Sequence, residues 1–535
     1  MIGTNEIRVL LLLLGLTVLR LLLGAFTELS PDEAYYLLWA ERLDWSYYSK
    51  GPGVAVALWI TTVLFGETDF GVRCLSPVLG FGTSVLMYLL GKRTVGRDAA
   101  LWAVVIFNLT PIFNAGSILL TIDPLMMFFW SASLLCYWMA LERSWNREWG
   151  WWAATGLCLA LGFLCKYTII VVFVTILLHL GLSRRRRVHL KRPGFYLMTG
   201  ILLLGSLPIL IWNAQHGWIT FVHLIERTGL FDSSPNGAVP SADFEFPLRP
   251  GDFATYLGMH LGVYSPVLFT GLLAALWLGI RRLRDSEGEL FLGLFSIPLI
   301  FFYFFLSWFN AGEVNWTVPG FVTLGLLAMK YWREWSWKES RKRWIALVAC
   351  VWSIGMTLWA VNPDTPRTVG VSWPYQRDPF LRLRGWDTAA GEVNKVVERI
   401  TKEQGQKPFL LASRYQTAAA LAFYGDFDVF RPSRRYLEVG GRVSEGGKIR
   451  NQFSFWPNHE QPKSAEDWQG FQGRAAVYVS DDLRINIPSD IKDHFSKAQH
   501  LHTFEVERRG RMARTWNLFL LSDFQSEPPT PNLKH

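Results

Sequence analysis

Long apolar runs separated by short polar segments dominate the first two thirds of the chain. Each run holds about 16 to 20 residues, which is the length a helix needs to cross the hydrocarbon core of a bilayer. The runs stop near residue 361. We therefore predict eleven membrane-spanning helices, near residues 9–26, 72–91, 98–114, 122–141, 151–165, 168–183, 195–213, 259–280, 290–309, 315–331 and 344–361.

The basic residues of this region form clusters between the apolar runs. If the N-terminus is cytoplasmic, every dense cluster falls on the cytoplasmic side, as the positive-inside rule requires. An odd number of spans then places the tail from residue 362 onward outside. The clusters lie at residues 92–97, 142–148, 184–192, 281–284 and 333–343.

The shortest predicted hairpin turns at Lys166. Its arms hold about 15 residues each, so they could instead merge into one kinked span. That merger would invert the orientation of all later segments and would turn the basic clusters at 281–284 and 333–343 outward. The positive-inside rule therefore favours the hairpin.

The tail has the pattern of a soluble α/β domain. Its glycine pairs at 440–441 and 446–447 indicate turns. We therefore predict a membrane domain over residues 1–361 and an extracytoplasmic α/β domain over residues 362–535. The predicted elements of the tail are helices at 386–400 and 417–424 and strands at 408–412 and 475–480.

Composition and charge agree with a membrane protein. Half of the residues are hydrophobic, and the chain holds 26 Trp and 37 Phe, more apolar surface than a soluble protein could bury. A net charge of +9 would also suit a nucleic-acid partner. The Lys and Arg residues, however, lie between apolar runs, where anionic lipid head groups are nearer. We therefore expect the lipid bilayer as a partner and no nucleic acid.

The first outward loop, residues 27–71, begins with acidic residues at a predicted helix start. Ser30 and Glu33 fit the two reciprocal positions of a capping box. Asp32 is not needed for the cap, which makes it the better candidate for chemistry, although an acid there also favours the helix dipole. Tyr35 and further aromatic residues follow, and they predict amphipathic helices at the membrane interface.

Two cations of the first outward loop are unusual for the outer face of a membrane. These residues are Lys50 and Arg73, and an anionic ligand would explain both. The alternative for Arg73 is that it extends to the interface or pairs with Asp69.

Further polar residues recur at the outer ends of later spans. Asp123 precedes a proline at a helix start, and taken alone it fits an N-cap. The others have ordinary interpretations as interfacial or capping residues. These residues are Asp123, Lys166, Asn213, His216, Glu313 and Asn315. One topology nevertheless brings five separate positions, Asp32, Asp123, Lys166, Asn213 and Glu313, to one membrane face, where two acids and nearby cations suit proton removal from a hydroxyl while a phosphate leaves.

Seven segments together form a specific pattern: 31–36, 48–52, 65–73, 121–124, 162–167, 211–218 and 315–316. In these segments the chain resembles the bacterial branch of the dolichyl-phosphate-mannose–protein mannosyltransferase superfamily, which includes the 4-amino-arabinose lipid A transferase and the lipid A galacturonosyltransferases. The resemblance covers about residues 9–360 and implies an all-α polytopic membrane bundle of the GT-C type. It also implies an inverting transferase with a polyprenyl-phosphate sugar as donor.

The resemblance implies roles for individual residues. Asp32 matches the base that acts on the acceptor hydroxyl, and Glu33 matches a neighbour that shapes the site. Asp123 matches a second acid that orients the acceptor or, in some relatives, helps to bind a divalent metal, so Asp32 and Asp123 are the candidate metal ligands.

Binding roles follow in the same way. The candidate donor-phosphate ligands are Lys50, Arg73 and Lys166, and the candidate acceptor or substrate ligands are Tyr35, Asn213, His216, Glu313 and Asn315. Lys50-Gly51-Pro52 stands where many relatives have a His-Pro-Pro segment, which leaves the acceptor and the metal preference open.

The expected partners are a polyprenyl-phosphate sugar and an acceptor that is a glycolipid such as lipid A, another glycan or a protein. The expected location is the cytoplasmic membrane, with the site and the tail on the periplasmic side of a Gram-negative cell. A transporter or flippase for lipid-linked sugars is the main alternative, but it predicts polar residues in the middle of spans and repeated halves. A membrane-anchored scaffold whose tail binds a partner is the third interpretation.

Overall fold

The computed structural model describes residues 3–144, 147–227, 248–335, 338–362, 364–371, 374, 378, 381–412, 414–425, 429–430, 472–481, 487, 489–508 and 511–525. These residues form two compact units. The first unit contains the described residues up to Asn362 except Thr27–Trp39, and the second contains Thr27–Trp39 together with the described tail. The predicted glycine turns at 440–441 and 446–447 lie outside the described residues.

The first unit is built from α-helices. Each of the eleven predicted spans coincides with at least part of a helix in the described residues. Its helices are Thr4–Ala25, Gly53–Phe65, Asp69–Arg73, Leu75–Thr94, Arg97–Leu109, Pro111–Gly116, Ile122–Glu142, Trp149–Cys165, Ile170–Leu182, Pro193–Gln215, Ile219–Glu226, Pro250–Tyr264, Pro266–Arg281, Glu287–Leu294, Ile297–Leu306, Val318–Glu334 and Glu339–Val361.

The predicted number of spans is not confirmed. Among the described residues, six helical segments are long and apolar enough to cross a membrane, or seven if one pair bent by 111° counts as a span. Residues that precede prolines break two predicted spans, because a following proline disfavours helical backbone. Thr110 is extended before Pro111, and Ser265 has a φ of 69° before Pro266.

The hairpin at Lys166 is confirmed by the helices on either side of it. The helices Trp149–Cys165 and Pro193–Gln215 lie side by side and run in the same direction, which requires the chain between them to return across the bundle. The merged span is therefore wrong. The positions that meet are, in order along both helices, Trp152 with Gly194, Gly156 with Met198, and Ala160 with Gly205.

Ion pairs join the basic clusters at one end of the first unit. Lys92 and Arg97 bind Glu6 at 3.1 and 2.8 Å, and Arg192 binds Glu148 at 2.7 Å. All five clusters that the sequence assigned to one side contribute to this network, so that part of the prediction agrees with the helix arrangement. Further pairs at this end include Arg93–Glu142, Arg186–Glu287, Arg282–Glu334, Lys330–Glu289 and Arg333–Asp98.

The described tail in the second unit confirms the α/β prediction. Five strands form a sheet of order β2-β1-β3-β5-β4, in which β1 is parallel to β2 and β3, and β5 is antiparallel to β3 and β4. The strands are β1 Phe409–Ala412, β2 Val429–Phe430, β3 Ala476–Ser480, β4 Phe495–Arg508 and β5 Arg511–Phe524. The helices of the second unit are Pro31–Ala40, which begins in its first segment, and Thr365–Thr368, Trp386–Gln404, Tyr415–Gly425 and Ser489–Lys492.

The parallel packing of the two helices beside Lys166 predicts a steric effect at Gly156. A Cβ atom there would lie 2.7 Å from the Met198 carbonyl oxygen, and this backbone atom cannot move aside alone. We expect Gly156→Ala to cost about 1–3 kcal/mol of stability through overpacking. The measurement is the thermal unfolding midpoint of the full chain in detergent.

The matched control for this substitution is Gly200→Ala, on the same helix as Met198. A Cβ atom at Gly200 meets nothing within 4 Å, so the change should leave the midpoint unchanged or raise it. Equal midpoints for the two variants would contradict the described packing.

Candidate active site

The end of the first unit opposite the ion-pair network holds a group of predicted site residues that contact one another, Asp123, Lys166 and Asn315. The helix Ile122–Glu142 joins the two ends, because Glu142 belongs to the network and Asp123 lies in its first turn. A helix of 21 residues is about 30 Å long. Asp123 therefore lies roughly one bilayer thickness from the basic end.

The start of this helix corrects one expectation. Thr121 is the N-cap, and its hydroxyl accepts a hydrogen bond from the Asp123 backbone N–H at 3.3 Å. The N-cap interpretation of Asp123 is therefore wrong. Its carboxylate is not used to cap the helix and points to other partners.

Asp123 holds together three distant segments of the chain. Lys166 Nζ donates to Asp123 Oδ1 at 2.6 Å, and Asn315 Nδ2 donates to Asp123 Oδ2 at 2.6 Å. The Lys166 side chain is 8% exposed and that of Asp123 is 20% exposed. Charges this deeply placed need a partner, and each of the two supplies it for the other.

Local backbone geometry places Lys166 at this point. It follows the last residue of the helix Trp149–Cys165, and its extended backbone (φ −153°, ψ 124°) turns the chain. The negative end of the helix dipole favours a cation there. An ammonium has three N–H donors, and the Asp123 carboxylate uses one of them.

The loop after Lys50 packs directly on the Lys166 turn. A Cβ atom at Gly51 would lie 2.3 Å from the Leu164 carbonyl oxygen, and one at Gly53 would lie 2.5 Å from Cys165 Sγ. Glycine is therefore required at both positions. This contact brings the backbone next to Lys50 against the residues that precede Lys166, so two of the three predicted phosphate ligands lie on adjoining segments.

Arg73 differs from the expected surface cation. It is 2% exposed, and its Nη1 donates to the Gly24 carbonyl oxygen at 3.4 Å. The expectation that it extends to the membrane interface is wrong, because the side chain is enclosed within the first unit.

Asn213 and His216 are engaged at the end of one long helix. The Asn213 amide donates to the Ile209 carbonyl oxygen at 3.0 Å and accepts from the Thr220 N–H at 3.2 Å. The His216 ring stacks on Trp212 with centroids 4.0 Å apart. These contacts shape the turn after the helix, and they explain both residues without a ligand.

Glu313 and Asn315 lie in the same short link but in different surroundings. Glu313 is exposed and precedes the 3-10 turn Val314–Trp316. Asn315 lies inside that turn and reaches Asp123. The structure therefore brings together Asp123, Lys166 and Asn315 and leaves Glu313 at the surface.

The acids of the first loop lie in the second unit. The capping box is confirmed, since the Ser30 N–H donates to Glu33 Oε2 at 2.8 Å and the Glu33 N–H donates to Ser30 Oγ at 3.3 Å. Glu33 is fully buried, whereas Asp32 is partly exposed. Tyr35 is buried and its ring packs on Tyr415 at 4.6 Å.

The described residues do not fit a bound metal at Asp123. Both carboxylate oxygens already accept short hydrogen bonds, from Lys166 and Asn315. A cation would have to displace the Lys166 ammonium. Among the residues that the structure describes, no three His, Cys, Asp or Glu side chains gather as metal ligands would.

Contacts between the first loop and the tail were missed by sequence reasoning. Glu28 Oε2 accepts from the Trp386 backbone N–H at 2.7 Å, and the Leu29 N–H donates to the Tyr424 hydroxyl at 2.5 Å. The partners are separated by 358 and 395 residues. A single sequence holds no signal that pairs such distant positions.

Comparisons with known proteins extend the sequence resemblance. Residues 49–212 match the dolichyl-phosphate-mannose-protein mannosyltransferase family. The lipid A galacturonosyltransferase RgtD of Rhizobium johnstonii is 26% identical over 323 residues, which are 60% of this chain and 64% of RgtD. An uncharacterised protein of Aquifex aeolicus is 22% identical over 289 residues, which are 52% of this chain and 53% of that protein. The matches thus span less than two thirds of either relative.

The fold matches solved structures over nearly the whole chain. ArnT from Cupriavidus metallidurans, in complex with undecaprenyl phosphate, aligns with a TM-score of 0.59 and 17% identity over 95% of this chain and 97% of ArnT. The chain has the GT-C glycosyltransferase fold. The archaeal oligosaccharyltransferase AglB from Archaeoglobus fulgidus aligns with a TM-score of 0.50 and 12% identity over 87% of this chain and 69% of AglB.

The GT-C assignment confirms the predicted fold class and the resemblance from which it came. The chain is a multi-pass membrane protein with a small tail sheet. The family match begins just before Lys50 and ends at Trp212, so it includes Asp123 and Lys166.

The Asp123–Lys166 pair predicts coupled effects on stability. Lys166→Met leaves the Asp123 carboxylate uncompensated and should cost on the order of 1–3 kcal/mol. The double variant Lys166→Met/Asp123→Asn removes both charges and should cost less than Lys166→Met alone. Thermal unfolding of the full chain in detergent measures both.

A surface pair provides the control. Lys395 binds Glu392 at 2.7 Å, but its side chain is 72% exposed, so Lys395→Met should leave the midpoint unchanged. If the effects of Lys166→Met and Asp123→Asn on the midpoint simply add in the double variant, the described Asp123–Lys166 ion pair does not form.

Proposed function

We propose that this chain is an inverting glycosyltransferase that moves a sugar from a polyprenyl-phosphate donor to a hydroxyl acceptor. The observation that carries the proposal is the Asp123–Lys166–Asn315 group at the end of the bundle opposite the basic network. The neighbours support the donor class, since ArnT is solved with undecaprenyl phosphate and AglB with a dolichol-phosphate.

In this proposal Lys166 contacts the donor phosphate. A cation that is largely enclosed and held by a carboxylate is preorganised to stabilise charge on a leaving phosphate, at little cost in reorganisation. Lys50 is the second candidate, because the loop that follows it packs on the Lys166 turn. Arg73 is the third candidate, and its enclosed side chain donates to the Gly24 carbonyl oxygen.

Asp32 acts as the general base. It removes the proton of the acceptor hydroxyl as the acceptor oxygen attacks the anomeric carbon from the face opposite the phosphate. The bond between the anomeric carbon and the phosphate oxygen breaks, and polyprenyl phosphate leaves with the electron pair. Glu33 supports this residue by closing the capping box.

The location follows from the charges. The basic network belongs on the cytoplasmic side by the positive-inside rule, so the Asp123 end and the tail face outward. In a Gram-negative cell this side is the periplasm. Lipid A is the acceptor to test first, because RgtD is a lipid A galacturonosyltransferase. Other glycans and proteins are the acceptors to test next.

The first prediction of this proposal concerns Asp32. Asp32→Asn should lower transfer by about 100-fold or more, since a positioned base contributes that much, while expression and folding stay normal. The measurement is transfer of radiolabelled sugar from a set of polyprenyl-phosphate donors to lipid A, with the full chain in nanodiscs. Glu67→Gln, at an exposed carboxylate of the same loop, is the control and should transfer normally.

Near-normal turnover of Asp32→Asn would contradict its role as base. Movement of intact donor across the bilayer by wild type and Asp32→Asn alike, with no transfer, would support the transporter or flippase instead.

A second prediction separates donor binding from proton transfer. Lys166→Gln should raise the donor KM by about 10-fold or more through the lost charge–phosphate contact, whereas Lys166→Arg should keep most of the affinity. Initial rates at varied donor concentration measure this. Equal KM values for wild type and Lys166→Gln would assign the phosphate to other residues.

A further inference from the structure

The segment that leads to Asp32 is fastened to the tail within the second unit. Glu28 and Leu29 precede Asp32, and Tyr35 follows it by one helical turn. All three make contacts with residues beyond position 380. The start of the helix Pro31–Ala40 is therefore held from both sides.

Glu28 supplies a cap for a distant helix. The helix Trp386–Gln404 has Gly385 as its N-cap, and that residue offers no side chain to bind the first N–H groups. Glu28 Oε2 takes the Trp386 N–H instead, at 2.7 Å. A carboxylate at this end also has a favourable interaction with the helix dipole.

A largely enclosed arginine lies beside this contact. The Arg514 guanidinium lies over the rings of Trp386 and Trp516, 4.0 and 4.4 Å from their centroids, and binds Asp481 at 3.1 Å. Burial lowers the pKa of Arg514, while the negative charges of Asp481 and Glu28 raise it. The Glu28 carboxylate is thus attracted by the Arg514 guanidinium.

The helix Tyr415–Gly425 runs beside the segment. Tyr424, near its end, accepts the Leu29 N–H at 2.5 Å, and Tyr415, at its start, packs its ring on Tyr35. The segment Leu29–Tyr35 therefore lies along this helix in the opposite direction. The helix itself packs against Trp386–Gln404, so the two helices that contact Leu29 and Glu28 also contact each other.

The anchors connect directly to the backbone of Asp32. Leu29 and Ser30 are buried, and Ser30 and Glu33 bind each other's backbone N–H across the first turn. Asp32 lies between these two residues. A shift of Leu29 would therefore move the capping box and with it the Asp32 carboxylate.

We propose that Tyr424 and Glu28 are positioning residues that fix the orientation of Asp32 through the tail. This inference rests on the proposed function, because it takes Asp32 as the base. The tail then takes part in the reaction by orienting a residue of the first outward loop, and not only by binding the acceptor. Neither residue needs to touch the substrate.

The decisive substitution is Tyr424→Phe, which removes one hydroxyl and keeps the ring. We expect kcat to fall on the order of 10-fold, because a base displaced by a fraction of an ångström transfers protons poorly, while the donor KM stays unchanged. Tyr478→Phe, a buried tyrosine on β3 of the same domain, is the control and should keep wild-type kcat.

A cycle with Asp32→Asn separates positioning from a general structural role. A positioning residue acts through Asp32, so Tyr424→Phe should cost nothing further once Asp32 is Asn. A general structural defect would cost the same factor in both backgrounds. Sugar transfer by all four full-length proteins in nanodiscs gives the cycle, together with their thermal midpoints.

Glu28 provides a rescue test. Glu28→Gln retains an oxygen that accepts the Trp386 N–H, so it should keep more activity than Glu28→Ala. Equal activities of these two variants would overturn the role of Glu28.

The outcomes distinguish this inference from the proposed function. If the wild type transfers sugar and Tyr424→Phe matches it, or lowers the rate equally in the Asp32→Asn background, the positioning role is wrong and the enzyme assignment stands. If the wild type transfers no sugar from any donor, the proposed function fails and the positioning role fails with it.

Discussion

The ion pair between Asp123 and Lys166 is the interaction on which the first unit's functional end depends. It joins the first turn of one long helix to the turn of a hairpin, and Asn315 adds a third segment. Largely enclosed charges are costly unless they are paired. The pair therefore joins the segments that meet at this end, and two glycines, Gly51 and Gly53, allow the loop after Lys50 to pack beside it.

The two ends of the bundle use charge in different ways. At the basic end, several ion pairs join residues of which many are exposed, and such contacts add little stability each. They matter more for orientation in the membrane. At the opposite end, the Lys166 ammonium is enclosed and paired with Asp123, which is the arrangement that its proposed role in stabilising a leaving phosphate requires.

Two of the candidate acids, Asp32 and Asp123, lie at helix starts where other residues form the cap. Thr121 caps the helix that contains Asp123, and Ser30 with Glu33 closes the start that contains Asp32. Neither aspartate is needed for these caps, and both lie near the positive end of a helix dipole. Glu28 does the reverse and caps a helix of the tail.

Much of the fold was predictable from local pattern, because apolar runs and basic clusters report burial and orientation directly. The hairpin at Lys166, the capping box and the short tail strands Phe409–Ala412 and Ala476–Ser480 were found in this way. The long hairpin of β4 and β5 was not predicted, since β4 mixes apolar residues with His, Glu and Arg and the continuous apolar run of β5 holds only four residues, Leu518–Leu521.

The candidate site was predictable as a set of residues but not as a geometry. Asp123, Lys166 and Asn315 were named from one sequence. The same reasoning, however, predicted Asp123 as the N-cap, a role that Thr121 has, and predicted Arg73 at the outer surface, although its side chain is buried. The contacts of Glu28 and Leu29 with the tail depend on tertiary packing between residues more than 350 positions apart. Local periodicity holds no information about such contacts.

The proposed reaction breaks the bond between an anomeric carbon and the phosphate oxygen of a lipid-linked donor. It can be followed with a polyprenyl-phosphate sugar in which the oxygen between the anomeric carbon and phosphorus is oxygen-18, incubated with the full chain in nanodiscs and lipid A. We expect the released polyprenyl phosphate to carry all of the label and the glycosylated product to carry none. Label in the product, or labelled donor recovered intact without any product, would contradict the proposed reaction.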